Sequence, residues 1–264
     1  MARVLLTGCS TGIGRATADS LTDRGHEVVA TARNLSTLDG LDVAQRVALD
    51  VDDARSIEAA MTVVGDVDVL VNNAGVGMGG PLESYPLDLA QAVFTTNVFG
   101  PLRLIQAVLP AMRERGSGVI VNVSSVEGVV STPLYGIYSA SKHALEALSE
   151  SLHFEVGHFG VRVVIIEPGY IATAMRTKTS PIDIDATPYA ELHRQWAGTD
   201  EKLLGGPRPG PDLVAHAIAD AIDDPDTPLR VPVGEDAVMV TTARKQLDDV
   251  AFESTMRSTL QIDW

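Results

Sequence analysis

The stretch that decides the fold is Arg3-Val4-Leu5-Leu6-Thr7-Gly8-Cys9-Ser10-Thr11-Gly12-Ile13-Gly14. It opens as a short apolar run over Arg3–Thr7 and breaks into three glycines over Gly8–Gly14. It continues into Arg15–Arg24, where Ala16, Ala18 and Leu21 are spaced as on a helix. Strand, glycine turn and helix in that order form the first half of a βαβ unit. The turn is where a pyrophosphate sits on the amides of a helix N-terminus, and glycine lets the backbone come close to it. The spacing is Gly-x3-Gly-x-Gly. It is neither Gly-x-Gly-x-x-Gly nor a loop ending in Gly-Lys-Ser/Thr. Cys9, inside the turn, reads as a small packed residue rather than a reactive thiol.

Outward from this unit the alternation continues. Glu27–Ala32 and Arg46–Val51 are β-branched runs, and Asp53–Val64 has helical spacing. Val67–Val71 is continuously apolar and ends in Asn72-Asn73-Ala74-Gly75. Leu87–Arg115 is a long helical pattern perturbed near Gly100-Pro101. Gly118–Val123, Val161–Ile166 and Leu229–Val233 read as strands, and Ser139–Phe159 and Leu213–Ile222 as helices. Unbroken Val/Ile/Leu strands are buried on both faces, and alternation with helices implies parallel strands. The fold class expected is α/β: a Rossmann-like, doubly wound, seven-stranded parallel sheet with helices on both faces.

No linker divides the chain, so 1–264 reads as one dinucleotide-binding and catalytic domain. The stretch at about 170–211 is rich in Pro and Gly, with scattered Met175, Ile182, Tyr189, Leu192, Trp196 and Leu203. It follows a strand end, where parallel sheets bind ligands, so it reads as a substrate lid.

Composition narrows the class. Twenty basic residues against 35 acidic leave a net charge of −15, which repels a nucleic-acid backbone. The single cysteine forms no internal disulfide and fits a reducing cytoplasm. The apolar start is too short for a secretory leader, and no stretch is expected to span a bilayer. None of the six histidines has metal-ligand spacing, so no metal is expected, and Asp223-Asp224-Pro225-Asp226 reads as a solvated turn.

The motifs, taken together, resemble the short-chain dehydrogenase/reductase superfamily in its compact single-domain branch. The glycine turn resembles that family's cofactor loop, and Asn73-Ala74-Gly75 its sheet-stabilising segment. Tyr138-Ser139-Ala140-Ser141-Lys142 resembles its Tyr-x-x-x-Lys signature, with Ser125 thirteen residues ahead of the tyrosine. Asn97, in Thr96-Asn97-Val98, matches the asparagine of the family's long helix. Pro168-Gly169-Tyr170-Ile171-Ala172-Thr173 resembles the Pro-Gly-x-x-x-Thr segment beside the nicotinamide. The resemblance runs from Arg3 to Thr173 and is closest to the 17β-hydroxysteroid and retinol dehydrogenase-like branch. It implies an oxidoreductase that moves a hydride between a nicotinamide cofactor and an apolar ketone, aldehyde or secondary alcohol.

The chemistry fits the residue types. Carbonyl reduction needs a hydride donor and a proton donor at one carbonyl. A tyrosine hydroxyl has a free pKa of about 10, so working near pH 7 takes about 4 kcal/mol of preferential phenolate stabilisation. Tyr138 and Lys142 are i and i+4, on one helix face, where an ammonium can supply part of it. The resemblance implies that Lys142 also holds the nicotinamide ribose, that Ser125 donates to the substrate oxygen, and that Asn97 organises a water-linked proton relay. Ser124 is a neighbouring alternative, but the spacing favours Ser125. Tyr135 lacks a lysine at i+4 and reads as a pocket wall; Glu127 reads equally as pocket lining or loop. The cofactor contacts implied are Gly8, Ser10, Thr11, Gly12, Ile13, Gly14, Asn73, Ala74, Gly75, Pro168, Gly169, Ile171 and Thr173, with Tyr138 and Lys142.

An acid commonly ends the second strand of an NAD-preferring enzyme. Here Ala32 stands in that place and Arg33 follows, a guanidinium suited to a 2′-phosphate. NADP(H) is therefore expected over NAD(H), and Asp50-Val51 resembles the family's adenine contact. Two rival readings remain. One is a 3-ketoacyl carrier-protein reductase, whose acidic partner would need a basic patch such as Arg113 and Arg115. The other is a non-catalytic NADP(H)-sensing protein, which would be expected to lose Tyr138 or Lys142. The Tyr138 helix is apolar on much of its surface, Phe154 included, and the resemblance implies that it and the Leu87–Arg115 helix pair with copies of themselves in a homodimer or homotetramer. The Phe252–Trp264 tail packs on a neighbour or on the lid; the residues do not decide.

Overall fold

The computed structural model describes residues 1–173 and 182–264. β1 (Arg3–Leu6) turns Val4 and Leu6 to one face and Leu5 to the other, and all three are fully buried. Val4 and Leu6 join a cluster with Ala18 and Leu21 of α1 (Gly12–Asp23) and Val214 and Ile218 of α8 (Asp212–Asp223). Leu5 joins Ile57 of α2 (Ala54–Val64) and Leu104 and Val108 of α4 (Gly100–Arg115) on the opposite face. Helices on both sides are why the strands read as unbroken apolar runs. Each such side chain contributes roughly 2 kcal/mol of burial.

β2 (Glu27–Ala32), β3 (Gln45–Ala48), β4 (Val69–Asn72), β5 (Gly118–Val123), β6 (Val161–Pro168) and β7 (Arg230–Val233) complete the sheet. All pairs are parallel, in the order β3-β2-β1-β4-β5-β6-β7. This is the doubly wound, seven-stranded α/β sheet that the sequence implied. The order reverses between β1 and β4, and a ligand crevice opens there beyond the strands' C-terminal ends. A buried ladder crosses to α5 (Gly136–Val156): Asn72 donates to Asn122 at 2.8 Å, and Asn122 donates to Ser149 at 2.8 Å.

The long helical pattern is broken where its sequence is awkward. α3 (Leu87–Phe94) passes into one π-helical segment, Thr95–Phe99, before α4. Pro101 has no amide to offer the Asn97 carbonyl four residues back, so the regular ladder fails at Asn97. Leu87–Arg115 is the stretch on which the bilayer expectation bears. It is the one helical stretch among the described residues long and apolar enough to cross a membrane, with a mean hydropathy of 1.3. Leu104, Ile105, Val108 and Met112 within it are packed against the sheet.

The lid region departs from the irregular segment expected. It contains a 3₁₀ turn, Ile184–Ala186, and two short helices, α6 (Ala190–Trp196) and α7 (Thr199–Leu204). Helices of two turns or less are too short to display a 3.6-residue period. Met175, expected in the lid, lies outside the described residues. After β7 come α9 (Glu235–Gln246) and α10 (Asp249–Leu260), helices the sequence reading did not identify. α10 fully buries only Leu260, so it has almost no apolar stripe to read. The end of the chain settles on the lid. Asp263 and Trp264 donate backbone amides to Gln195 Oε1 at 3.1 and 3.3 Å, and the Trp264 and Tyr189 rings are 6.4 Å apart. Asp223, in the acidic turn, pairs with Arg24 and His26.

Candidate active site

The glycine turn is built so that only glycine fits. Gly8 and Gly12 have φ of +74° and +58°, the left-handed region. A Cβ on Gly14 would overlap the Gly8 carbonyl oxygen and come within 2.5 Å of Asn73 Nδ2. α1 starts at Gly12, and the N-cap Thr11 gives its first-turn amides no side-chain acceptor. Those amides therefore offer an anion the donors a capping side chain would have used. Ser10, Thr11 and Ile13 fill the turn, and Ile13 reaches the main cavity. Cys9 is fully buried and donates to the Leu6 carbonyl at 3.2 Å; burial pushes its pKa up to about 12, so it is inert packing.

Asn73, Ala74 and Gly75 brace this turn from β4. The backbone amides of Asn73 and Ala74 both donate to Thr7 Oγ1 at 3.0 Å, and Asn73 Nδ2 donates to the Thr7 carbonyl at 2.9 Å. A Cβ at Gly75 would meet Asn97 Oδ1 at 3.4 Å and Lys142 Nζ at 3.8 Å, so this glycine carries the brace up to the chemistry. Across the crevice, Pro168, Gly169, Ile171 and Thr173 line the same cavity. Gly169 is fixed by Asp236, whose carboxylate accepts the Tyr170 amide at 2.7 Å and would collide with any Cβ on Gly169. Arg33 is exposed just beyond β2, with no hydrogen bond or ion pair among the described residues. Asp50 and Val51 lie past the end of β3. The Asp50 side chain closes a turn on the Asp52 amide at 3.1 Å, and Val51 is buried in the core cluster, its carbonyl accepting from Arg103 Nη1 at 3.4 Å.

Ser125, Tyr138, Lys142 and Asn97 converge. Ser125 caps the short helix Val126–Gly128: its Oγ accepts the Glu127 amide at 3.1 Å and reaches the Pro168 carbonyl at 3.5 Å. Tyr138 and Lys142 stand one turn apart on α5, with Nζ 5.7 Å from the tyrosine ring centroid. Lys142 is buried, donates to the Val123 carbonyl at 2.8 Å, and has its pKa lowered by desolvation to about 8, with Glu146 opposing the fall. Asn97 is clamped to the Val76 backbone in both directions: its Nδ2 donates to the carbonyl at 2.8 Å and its Oδ1 accepts the amide at 2.9 Å. It also donates to Ser141 Oγ at 3.0 Å, and Ser141 in turn donates to the Tyr138 carbonyl at 2.7 Å.

Sequence reasoning missed Thr7, Ser141, Asn122, Asp236 and Glu146. Asn122 had a signal, a polar residue inside an apolar strand. Asp236 had none, because it comes from a helix that was not identified. Tyr135 lines the cavity, as expected of a pocket wall. Glu127 lines it too, and accepts hydrogen bonds from Thr132 at 2.6 Å and from Ser139. The cavity, about 660 Å³, holds Ser125, Tyr138 and Lys142 on one wall and the lid residues Ile184, Trp196 and Leu203 on another.

A crevice with a glycine turn and a helix N-terminus at one end and a Tyr–Lys pair at the other fits an oxidoreductase acting on CH–OH groups with a nicotinamide dinucleotide, NAD(H) or NADP(H). The chain is a member of the short-chain dehydrogenase/reductase family: the family pattern described as short chain dehydrogenase matches residues 2–183. It is 38% identical to human 17-beta-hydroxysteroid dehydrogenase type 1 over 267 residues, covering 93% of this chain and 81% of that protein. It is 37% identical to human retinol dehydrogenase 8 over 247 residues, covering 86% and 79%. Among solved structures, a short-chain dehydrogenase from Streptomyces avermitilis superposes with a TM-score of 0.82 at 39% identity, covering 98% of this chain and 97% of that one.

Proposed function

We propose that this chain is an NADP(H)-dependent dehydrogenase/reductase for an apolar ketone, aldehyde or secondary alcohol of steroid- or retinoid-like size. One observation carries the reading: a single cavity joins the Ser125–Tyr138–Lys142 wall to a lid wall of large apolar side chains. Its volume lies within the ordinary range for small-molecule sites. The nicotinamide, when bound, supplies or accepts the hydride. The chain holds the cofactor through the Gly8–Gly14 turn, the Asn73–Gly75 brace, the Pro168–Thr173 edge and Arg33. Tyr138 gives its hydroxyl proton to the carbonyl oxygen in reduction and recovers it in oxidation. Ser125, only loosely tied to Pro168, turns its hydroxyl to the same oxygen. The Lys142 ammonium favours the phenolate form of Tyr138, and Asn97 holds the backbone through which water relays the proton. The test is NADPH oxidation over carbonyls graded from small aldehydes to steroid-sized ketones. The expected result is kcat/KM rising with apolar size; a flat or falling trend overturns the substrate class.

Arg33 supports the cofactor choice, because its guanidinium, unpaired among the described residues, directly follows Ala32, which stands where an acid would favour NAD. Arg33→Ala should raise the Kd for NADPH by about tenfold, the loss of one charge-assisted contact, and leave that for NADH nearly unchanged. Equal losses, read by fluorescence titration, would sink the preference. The carrier-protein reading finds little support: Arg115 is tied to the Val67 carbonyl and Ser117, and Arg113 stacks over Phe159. The sensor reading is disfavoured by the complete Asn–Ser–Tyr–Lys set.

The same proposal includes a cytoplasmic homo-oligomer, a dimer or tetramer. Phe99 and Phe154, exposed on α4's entry and on α5, give it an apolar face. Light scattering at micromolar concentration should return a multiple of 27.9 kDa, and a monomeric mass would refute it.

A further inference from the structure

Behind the Ser125–Lys142 wall lies a layer of buried charge that proton transfer does not use. Glu146 follows Lys142 by one turn on α5, on the same face, and is itself buried. Arg230, from β7, donates through Nε to Glu146 Oε2 at 2.9 Å and through Nη2 to Glu150 Oε2 at 2.7 Å. It also stands 3.6 Å from Oε1 of Glu167 on β6. Glu167 is fully buried, and neither of its carboxyl oxygens meets a hydrogen-bond donor among the described residues. Lys245, from α9, acts on Glu167 through space, and the Ser124 hydroxyl faces Glu146 without an aligned hydrogen bond. Gly128 closes the remaining side, since a Cβ there would come within 2.9 Å of Glu146 Cγ.

Charge balance assigns the roles. A buried ammonium with one carbonyl acceptor needs a counter-ion close by, and a buried carboxylate needs a cation or a proton. Lys142 and Arg230 are matched when Glu146 and Glu150 are ionised. A third ionised carboxylate, Glu167, has only the shared Arg230 and the through-space charge of Lys245 against it. Burial, with Glu146 adding to it, pushes the Glu167 carboxyl up to about 7, against Arg230 and Lys245, so Glu167 holds its proton through the acid range and yields it around neutrality.

We propose that Glu146, clamped by Arg230, is the positioning residue that keeps the buried Lys142 ammonium charged in its seat beside Tyr138. The inference rests on the proposed reading of Lys142 as the active-site lysine, and its test separates the two.

The sequence has four lysines, so the full-length protein with 13C-labelled lysine side chains gives a short set of NMR signals, with Lys142 identified by its loss in Lys142→Arg. Its titration midpoint in the wild type is expected near 8. Glu146→Gln, nearly isosteric, should lower that midpoint by about one pH unit, cutting the charged fraction at pH 7.5 about threefold. Glu146→Asp should restore most of the shift, because it returns the charge. Glu167→Gln should leave the midpoint nearly in place, because the charges that act on Glu167 are Arg230, Lys245 and Glu146 rather than Lys142. A Lys142 midpoint unmoved in Glu146→Gln, or moved as far by Glu167→Gln, overturns the proposal. If the Gln variant does not fold, Arg230→Lys serves: it loosens the clamp with every charge kept, and an unmoved midpoint there also overturns it. Carbonyl turnover is measured beside each titration. A wild type that reduces no carbonyl but shows the shifted midpoint retires the enzymatic reading alone. A wild type that turns over, with an unmoved midpoint in Glu146→Gln, retires this inference alone.

Discussion

Tyr138→Phe is expected to lower kcat by about 10²–10⁴-fold, the usual contribution of a positioned proton donor, while NADPH binding and thermal stability stay close to wild type. The substitution removes one oxygen atom. The ring keeps its place on α5, and the Lys142 ammonium keeps the ring face it approaches at 5.7 Å. Ser125 and Lys142 remain in position through Glu127, Pro168 and Val123, none of which depends on the tyrosine hydroxyl. A loss in kcat with unchanged NADPH affinity therefore isolates the proton-transfer step. Tyr135→Phe is the internal control. That ring lines the same cavity without a lysine one turn on, and the loss of its hydroxyl should show in KM rather than kcat.

Gly14→Ala is expected to be the most damaging single change in the cofactor loop. In an isolated helix, alanine is better than glycine by about 1 kcal/mol. Here the added methyl would overlap the Gly8 carbonyl oxygen and press on Asn73 Nδ2 at 2.5 Å. Asn73 cannot yield cheaply, because it donates three hydrogen bonds, two to Thr7 and one to the Gly8 carbonyl. Overpacking against backbone should therefore win, costing about 3 kcal/mol and lowering Tm by several degrees in a domain of this size. Cofactor affinity should fall with it, since the turn that presents the α1 amides has to open. Gly157→Ala, where a Cβ meets nothing within 4 Å and φ is −57°, is the matched control and should be neutral or slightly stabilising. Thermal melts with and without NADPH read both effects. A Gly14→Ala protein as stable and as NADPH-responsive as wild type would show that the turn relaxes freely.

What was legible in the sequence and what was not divide along physical lines. β1, β4, β5 and β6 are buried on both faces, so Val4–Leu6, Val69–Val71 and Val163–Ile166 announced themselves as apolar runs. Their order in the sheet follows from right-handed βαβ crossovers once the glycine turn marks the start. Tyr138 and Lys142 were legible because a helix puts i and i+4 on one face. Ser125 was legible from the resemblance, through its distance from Tyr138. The lid and C-terminal helices were not, because α6 and α7 have two turns or fewer and α10 hides only Leu260. The supports of the site were the least legible of all. Thr7, Asp236 and Glu146 act across distances of 60 or more residues in sequence or through a buried partner such as Arg230, and nothing local distinguishes them from ordinary polar residues. The π-helical break at Thr95–Phe99 was half legible: Gly100-Pro101 marked the disturbance, but the turn that changes lies just before it, where Asn97 loses the amide of Pro101.

The most direct test of the account is steady-state NADPH oxidation, followed by absorbance, with wild type and Tyr138→Phe side by side on a large apolar ketone. The account predicts turnover by the wild type and a loss of about 10²-fold or more in the variant, with the NADPH Kd unchanged. No turnover by a wild type that binds NADPH, or equal turnover by both proteins, would contradict it.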